Sequence, residues 1–174
     1  MKNRWLGDYC DLEVNGNILT KTFNRNFPKH INDQDWLTNY NEFRKINKTP
    51  VRILDVEENR IHMEYIDGIT AIEWVYQRGT SPQRLAKLSS CIHRLCADML
   101  DYRPNGSKAG RLFYHEDLNL TNYVVRDDEI ILVDPESFRF FDTVNYNAFT
   151  QPQINLSKVA HKIYDRTISE TNLW

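Results

Sequence analysis

Asp117, Asn122 and Asp134 are the residues of this 174-residue chain whose types and spacing suit joint chemistry. The run His115-Glu116-Asp117-Leu118-Asn119-Leu120-Thr121-Asn122 leads into two short apolar runs, Tyr123-Val124-Val125 and Ile130-Ile131-Leu132-Val133, and then into Asp134-Pro135-Glu136. An amide oxygen and a carboxylate are hard ligands that suit a cation of Mg²⁺ size, and a neighbouring aspartate can accept a proton from an incoming hydroxyl. Such a set is an economical site for moving a phosphoryl group. Taken singly, Asp and Asn are ordinary turn residues. The ordered spacing around a hairpin carries the functional reading.

The elements around these residues supply the geometry. Tyr123–Val125 and Ile130–Val133 read as two strands joined by the polar turn Arg126-Asp127-Asp128-Glu129, a hairpin that returns Asp134 toward Asn122. Upstream, Tyr9 to Phe23 reads as another hairpin, because the Asn-Gly pair of Asn15-Gly16-Asn17 tolerates the positive φ of a tight turn. Trp36, Leu37, Tyr40, Phe43 and Ile46 recur at helical spacing across Asp33 to Ile46, with Asp33 or Asp35 as cap. After Pro50, Val51–Val56 and Arg60–Ile66 predict a further hairpin, and Asp67-Gly68 a break. A short helix from Ala71 to about Gln77 precedes a longer one, from Ser81 or Pro82 through Met99. Residues 103–110 look like a flexible connector, the aromatics Phe138, Phe140, Phe141 and Tyr146 like core, and Ile154 to Ile168 like a final helix.

Composition sets the outer limits. At 41% apolar residues the chain can form a real core, and its length allows two small lobes rather than two large domains. A formal charge of −2 gives no general attraction to nucleic acid or to an anionic membrane, so neither is expected as a partner. Cys10, Cys91 and Cys96 form neither a zinc pattern nor an even set for disulfides, which fits a reducing, cytoplasmic setting. No apolar run approaches a membrane span, and the first residues carry no conventional export signal.

From His115 through Glu136 the chain resembles the protein-kinase-like superfamily, which includes protein kinases and aminoglycoside- or choline-type phosphotransferases. The resemblance is weaker from Ile61 through Gly68 and only suggestive before residue 50. It implies an α+β, bilobal fold: a small β-rich nucleotide-binding lobe over residues 1–67 and a shortened, mostly helical catalytic lobe over 68–174. In the family's His-x-Asp loop the aspartate is catalytic and the asparagine five positions on binds metal, roles that fall to Asp117 and Asn122, with Asp134 as the other metal ligand. His115 would organise the loop through a backbone or carboxylate hydrogen bond. Met63 to Gly68 is similar to the family's hinge, which makes the backbone of Glu64, Tyr65 and Ile66 candidates for adenine recognition. Lys21 matches the phosphate-contacting lysine and Glu42 the helix glutamate that orients it; the alternative is two solvent-facing charges.

The resemblance thus implies ATP and Mg²⁺ as cofactors and transfer of the γ-phosphoryl group to a hydroxyl acceptor. Pro135-Glu136 in place of Phe-Gly favours a small-molecule acceptor, with a minimal serine/threonine protein kinase and a pseudokinase-like regulatory or binding module as alternatives. The chain has no G-x-G-x-x-G run and no Ala-Pro-Glu segment after Asp134. Its brevity for two lobes also raises a homodimer as a way to complete the acceptor site.

Overall fold

A computed structural model of the chain describes residues 2–5, 9–24, 28–76, 82–143, 150, 153, 154, 157, 158, 160 and 161. The predicted helix over 154–168 and Tyr146 therefore lie largely or wholly outside the described residues.

The first half of the chain builds an antiparallel sheet. Its strands are β1 (Lys2–Trp5), β2 (Cys10–Asn15), β3 (Ile18–Phe23), β4 (Ile53–Glu57) and β5 (Arg60–Glu64), in the order β1-β2-β3-β5-β4. Gly16 closes the β2–β3 turn at φ +60°, as the Asn-Gly signal requires. Pairing of Ile18 with Glu64 sets the β3–β5 register and places Lys21 opposite Ile61 in the middle of the sheet. β1 was not evident from the sequence pattern.

Helix α1 (Gln34–Ile46) is capped by Asp33, whose carboxylate accepts from the Asp35 N–H at 2.9 Å. Its inward face is Trp36, Asn39, Tyr40 and Phe43, all fully buried. Buried Asn39 is well satisfied: its amide oxygen accepts from Asn105 N–H (2.7 Å) and Tyr102 OH (2.8 Å), and its amide nitrogen donates to the carbonyls of Asp35 and Asn105. Residues 103–110 are therefore an anchored connector with a 3₁₀ turn at Gly106–Lys108, not the loose one that their Gly and Ser content suggests.

Beyond the sheet come β6 (Ile69–Thr70), α2 (Ala71–Tyr76), α3 (Pro82–Asp101), β7 (Leu112–His115), β8 (Tyr123–Arg126), β9 (Glu129–Leu132) and β10 (Phe138–Phe141). Leu88, Ile92, Leu95 and Met99 form the buried stripe of α3. The β8–β9 turn is only Asp127-Asp128, both at positive φ (49° and 66°), the two-residue geometry that matches strand twist. β10 is a strand rather than a loose aromatic cluster. It pairs with β7 in the register Phe138↔His115 and Phe140↔Phe113, and so lays the segment after Asp134 beside the segment before Asp117.

One apolar core runs through both halves, from Phe23 and Ile61 to Leu95 and Phe138. Phe138 stands at its centre, edge-on to Tyr40 and His115 and stacked on Phe113. The segment after α1 bonds to β9 through Val51 N–H to Leu132 O (2.9 Å) and Leu132 N–H to Thr49 O (2.8 Å). No helix among the described residues is long and apolar enough to cross a membrane.

Gly68 sits at the join between the sheet and the rest. A Cβ there would lie 2.4 Å from the Val125 carbonyl oxygen, so the β6–β8 approach requires its absence. Gly68→Ala is expected to cost about 1–3 kcal/mol in urea unfolding by overpacking. Gly16→Ala, with open space around it, should cost about 1–2 kcal/mol from the left-handed φ alone.

Candidate active site

The site is built where the β7–β10 pair and the β8–β9 hairpin present their connecting loops together. Glu116 N–H bonds to Ser137 O at 2.9 Å, and Val133 N–H to Asn122 O at 2.8 Å. The second contact extends the Tyr123↔Leu132 register by one residue and brings Asn122 alongside the residue that precedes Asp134. The hairpin thus returns Asp134 toward Asn122.

His115 locks these loops to each other. Fully buried, it accepts the Asp117 N–H at Nδ1 (3.2 Å) and donates from Nε2 to the Asp134 carbonyl (2.8 Å). An acceptor at one nitrogen and a donor at the other define a neutral ring with its proton on Nε2. Burial holds its pKa below the usual histidine value, against the opposing pull of Asp134. One uncharged ring therefore fixes the backbone of both aspartates.

Asp117 is exposed, and both carboxylate oxygens are oriented: Oδ1 by Asn119 N–H (3.3 Å) and Oδ2 by the Asn122 amide (3.1 Å). The Asn122 amide nitrogen also donates to the Asp117 carbonyl (3.0 Å), which leaves its amide oxygen as the acceptor available to a cation.

Lys21 reaches this cluster from β3. Its ammonium contacts Asp134 Oδ1 at 3.0 Å and bonds Glu136 Oε1, with only 16% of the side chain accessible. Asp134 Oδ2 accepts from the Ser137 hydroxyl at 2.5 Å. Burial alone pushes both carboxyls up. The Lys21 charge and the Ser137 bond reverse this for Asp134, which falls below the usual range, whereas burial and the Asp134 charge leave Glu136 raised. Burial opposes the Lys21 charge, but the two carboxylates outweigh it and raise the ammonium pKa.

The expected Lys21–Glu42 contact does not form. Glu42 lies outside the buried face of α1, 41% accessible, and pairs with Lys45 at 2.5 Å. Glu136 stands beside Lys21 instead. Sequence reading passed over Glu136, although a glutamate flanked by Val133, Pro135 and Phe138 was a signal for a buried, partnered carboxylate.

In the hinge-like segment, Glu64 N–H bonds to Arg52 O (2.9 Å) and Tyr65 N–H to Asn17 O (2.8 Å), so both donors are already used. The Glu64 carboxylate pairs with Arg126 at 3.3 Å. Ile66 is buried. Two open clefts of about 580 and 520 Å³ border Glu64, and neither is lined by Asp117, Asn122 or Asp134. Burial pushes the Cys91 thiol up and that of Cys96 up to about 11, which removes both as ready nucleophiles.

The donor set fits a small divalent cation in one respect and limits it in another. No group of three or more His, Cys, Asp or Glu that could hold a metal occurs among the described residues. One amide and one carboxylate suit Mg²⁺ that takes its other ligands from phosphates and water, rather than a cation caged by protein alone.

No protein-family model matches the chain, and no curated protein matches it significantly. Solved structures do. A choline/ethanolamine kinase family protein from Mesorhizobium loti superposes with TM-score 0.51 at 11% identity, over 82% of this chain and 60% of that one. WbdD, crystallised with a kinase inhibitor, superposes with TM-score 0.50 at 18% identity, over 80% of this chain and 33% of its own. The chain shares the fold of these two structures. At these identities the likeness speaks to architecture alone, an α+β arrangement, and the chain spans less than two thirds of either protein.

His115→Phe keeps a ring in the core while orphaning the Asp134 carbonyl and the Asp117 N–H. It should lower stability by about 2 kcal/mol or more near pH 8. Wild type loses stability as pH falls below about 6.5, because the unfolded histidine gains a proton that the folded ring resists. His30, whose pKa burial also lowers, is common to both proteins and cancels. The gap between them, read from urea midpoints, should therefore narrow from pH 8 to pH 5.

Proposed function

We propose that the chain is an ATP- and Mg²⁺-dependent phosphotransferase that moves the γ-phosphoryl group to a hydroxyl acceptor. The observation that carries this reading is the convergence of Asp117, Asn122 and Asp134 on loops tied by one histidine, with Lys21 delivered to the same place from the sheet. The kinase-like fold supports it. In this reading residues 1–67 form a nucleotide-binding lobe and residues from 68 onward a catalytic lobe.

Each residue then has a part that follows from its surroundings. Asp117, exposed and held at both oxygens, orients the acceptor hydroxyl and takes up its proton as transfer proceeds. Asn122 and Asp134 hold the metal through an amide oxygen and a carboxylate. Bound Mg²⁺ supplies neutralisation of phosphate charge. Lys21 steadies the nearer phosphates, and His115 keeps the loops in register. With the Glu64 and Tyr65 N–H groups in use, an N–H contact to adenine on this segment falls to Ile66. Most of the rate gain would come from alignment and charge compensation, since phosphoryl transfer asks little covalent chemistry of the protein.

For the acceptor we favour a small-molecule hydroxyl over a protein serine or threonine, on the Asp134-Pro135-Glu136 sequence. A second reading, a pseudokinase-like binding module, has one specific observation in its favour. Asp134 is occupied on both oxygens, by Lys21 and Ser137, in the structure as it stands.

Calorimetric titration separates the two. Mg·ATP should bind wild type and not Asp134→Ala, and free ATP should bind wild type more weakly. Asp117→Asn should slow phosphoryl transfer in an acceptor screen by about 10²–10⁴-fold with nucleotide affinity nearly unchanged. Equal loss of binding and transfer in Asp117→Asn would remove its role as proton acceptor. Metal-dependent ATP binding by wild type without turnover on any acceptor would favour the module.

A further inference from the structure

A lysine that serves nucleotide phosphates needs a carboxylate to hold it in place, and α1 offers none on its inward face. That face is Trp36, Asn39, Tyr40 and Phe43, packed toward Phe138 and Tyr102. Bringing Glu42 inward would require the helix to rotate and expel this aromatic face from the core. The carboxylate at Lys21 comes instead from the far side of the site. Glu136 is 9% accessible, bonds the ammonium through Oε1, and has a buried Oε2 without a hydrogen-bond partner among the described residues.

The turn that carries Glu136 is gripped by the α1 region. His30, in the 3₁₀ turn Lys29–Asn32 ahead of α1, donates from Nε2 to the Glu136 carbonyl at 2.9 Å, and Trp36 Nε1–H donates to the Phe138 carbonyl at 2.6 Å. Ser137 fixes the same turn from within through its bond to Asp134. The helix therefore positions the segment, the segment presents the carboxylate, and the carboxylate meets the lysine.

We infer that Glu136 is the positioning residue for Lys21: it retains the ammonium beside the phosphate site when Asp134 turns to a metal, and it takes the place that a helix glutamate would otherwise fill. This rests on the phosphotransfer reading above. Asp134 cannot give its full charge both to a divalent cation and to Lys21, whereas Glu136 holds the lysine through Oε1 and bonds no other cation among the described residues. The position of α1 is then transmitted to the lysine through the backbone of residues 134–138 rather than through a carboxylate of the helix.

Two measurements test it. In urea unfolding without nucleotide, Glu136→Gln should lower the midpoint in the wild-type background, and should leave it unchanged or raise it in the Lys21→Met background, where the carboxylate has lost its cation. Glu42→Gln should shift the midpoint equally in both backgrounds. Additive shifts for Lys21 and Glu136 would overturn the anchoring. In calorimetry, Glu136→Gln should weaken Mg·ATP binding about tenfold with the Mg²⁺ concentration for half-maximal effect unchanged, and the Lys21→Met background should abolish this difference. A shift in the Mg²⁺ midpoint would make Glu136 a metal ligand and overturn the proposal. So would a tenfold loss in Glu42→Gln but not in Glu136→Gln. Wild type that binds no Mg·ATP would overturn the phosphotransfer reading and the phosphate-facing part of the proposal with it, a result read on wild type alone and separate from the unfolding cycle.

Discussion

A single ammonium group between two buried carboxylates joins the sheet to the loops of the site. Lys21 on β3 contacts Asp134 and Glu136, more than a hundred residues away in sequence, and 80% or more of each of the three side chains is removed from solvent. Charges so placed are tolerable only with partners, because each alone would meet a desolvation cost of several kcal/mol. The contact therefore makes the sheet and the turn at 134–136 depend on each other, and α1 is held in the same arrangement by its bonds to the Glu136 and Phe138 region. A sheet that shifted by one residue in register would move Lys21 to the opposite face and leave both carboxylates unpaired.

Around that charged centre the geometry of the 115–122 loop rests on neutral interactions. His115 is held by burial between α3 and β10, with Met99 Sδ accepting its backbone N–H at 3.2 Å and the Phe138 ring edge-on to it. Its two ring nitrogens then dictate where the backbones of Asp117 and Asp134 lie. Because the ring is uncharged, it holds this register through hydrogen bonds rather than through an ion pair. Positioning and charge compensation are thus assigned to different residues, and a ligand that rearranged Lys21 would leave Asp117 and Asn122 where they are.

The parts of this arrangement that local chemistry controls could be read from the sequence. The β8–β9 hairpin follows from two apolar runs around Asp127-Asp128, residues that tolerate positive φ, and α1 from the spacing of Trp36, Tyr40 and Phe43 behind an aspartate cap. The return of the chain after Leu132 to the side of Asn122 was legible for the same reason: a tight hairpin fixes the ends of its own strands. What could not be read depends on contacts across long stretches of chain. The pairing of β7 with β10 joins segments whose aromatic residues give no clear alternation, since Phe140 and Phe141 are both partly buried on opposite faces. The partner of Lys21 is set by which side of the lysine α1 passes, and helical periodicity fixes the inward face of α1 without saying whether Glu42 borders that lysine. The backbone donors of Glu64 and Tyr65 were likewise claimed by strands that sequence could not align.

The charged centre is also out of balance, and that has a chemical consequence. One ammonium faces two carboxylates, so with both ionised the cluster carries an excess negative charge in a poorly solvated place. The opposite displacements of Asp134 and Glu136 express this: the lysine favours ionisation of the first, and burial together with that first charge resists ionisation of the second. A fully compensated ion pair would be an inert structural feature. A cluster short of one positive charge is instead electrostatically receptive to a cation, and the Asn122 amide oxygen, left over from its bonds to Asp117, lies on the adjoining strand end. The same imbalance explains why Lys21 sits on the carboxylates: among the described residues it is the one positive group in ion-pair contact with Asp134 and Glu136.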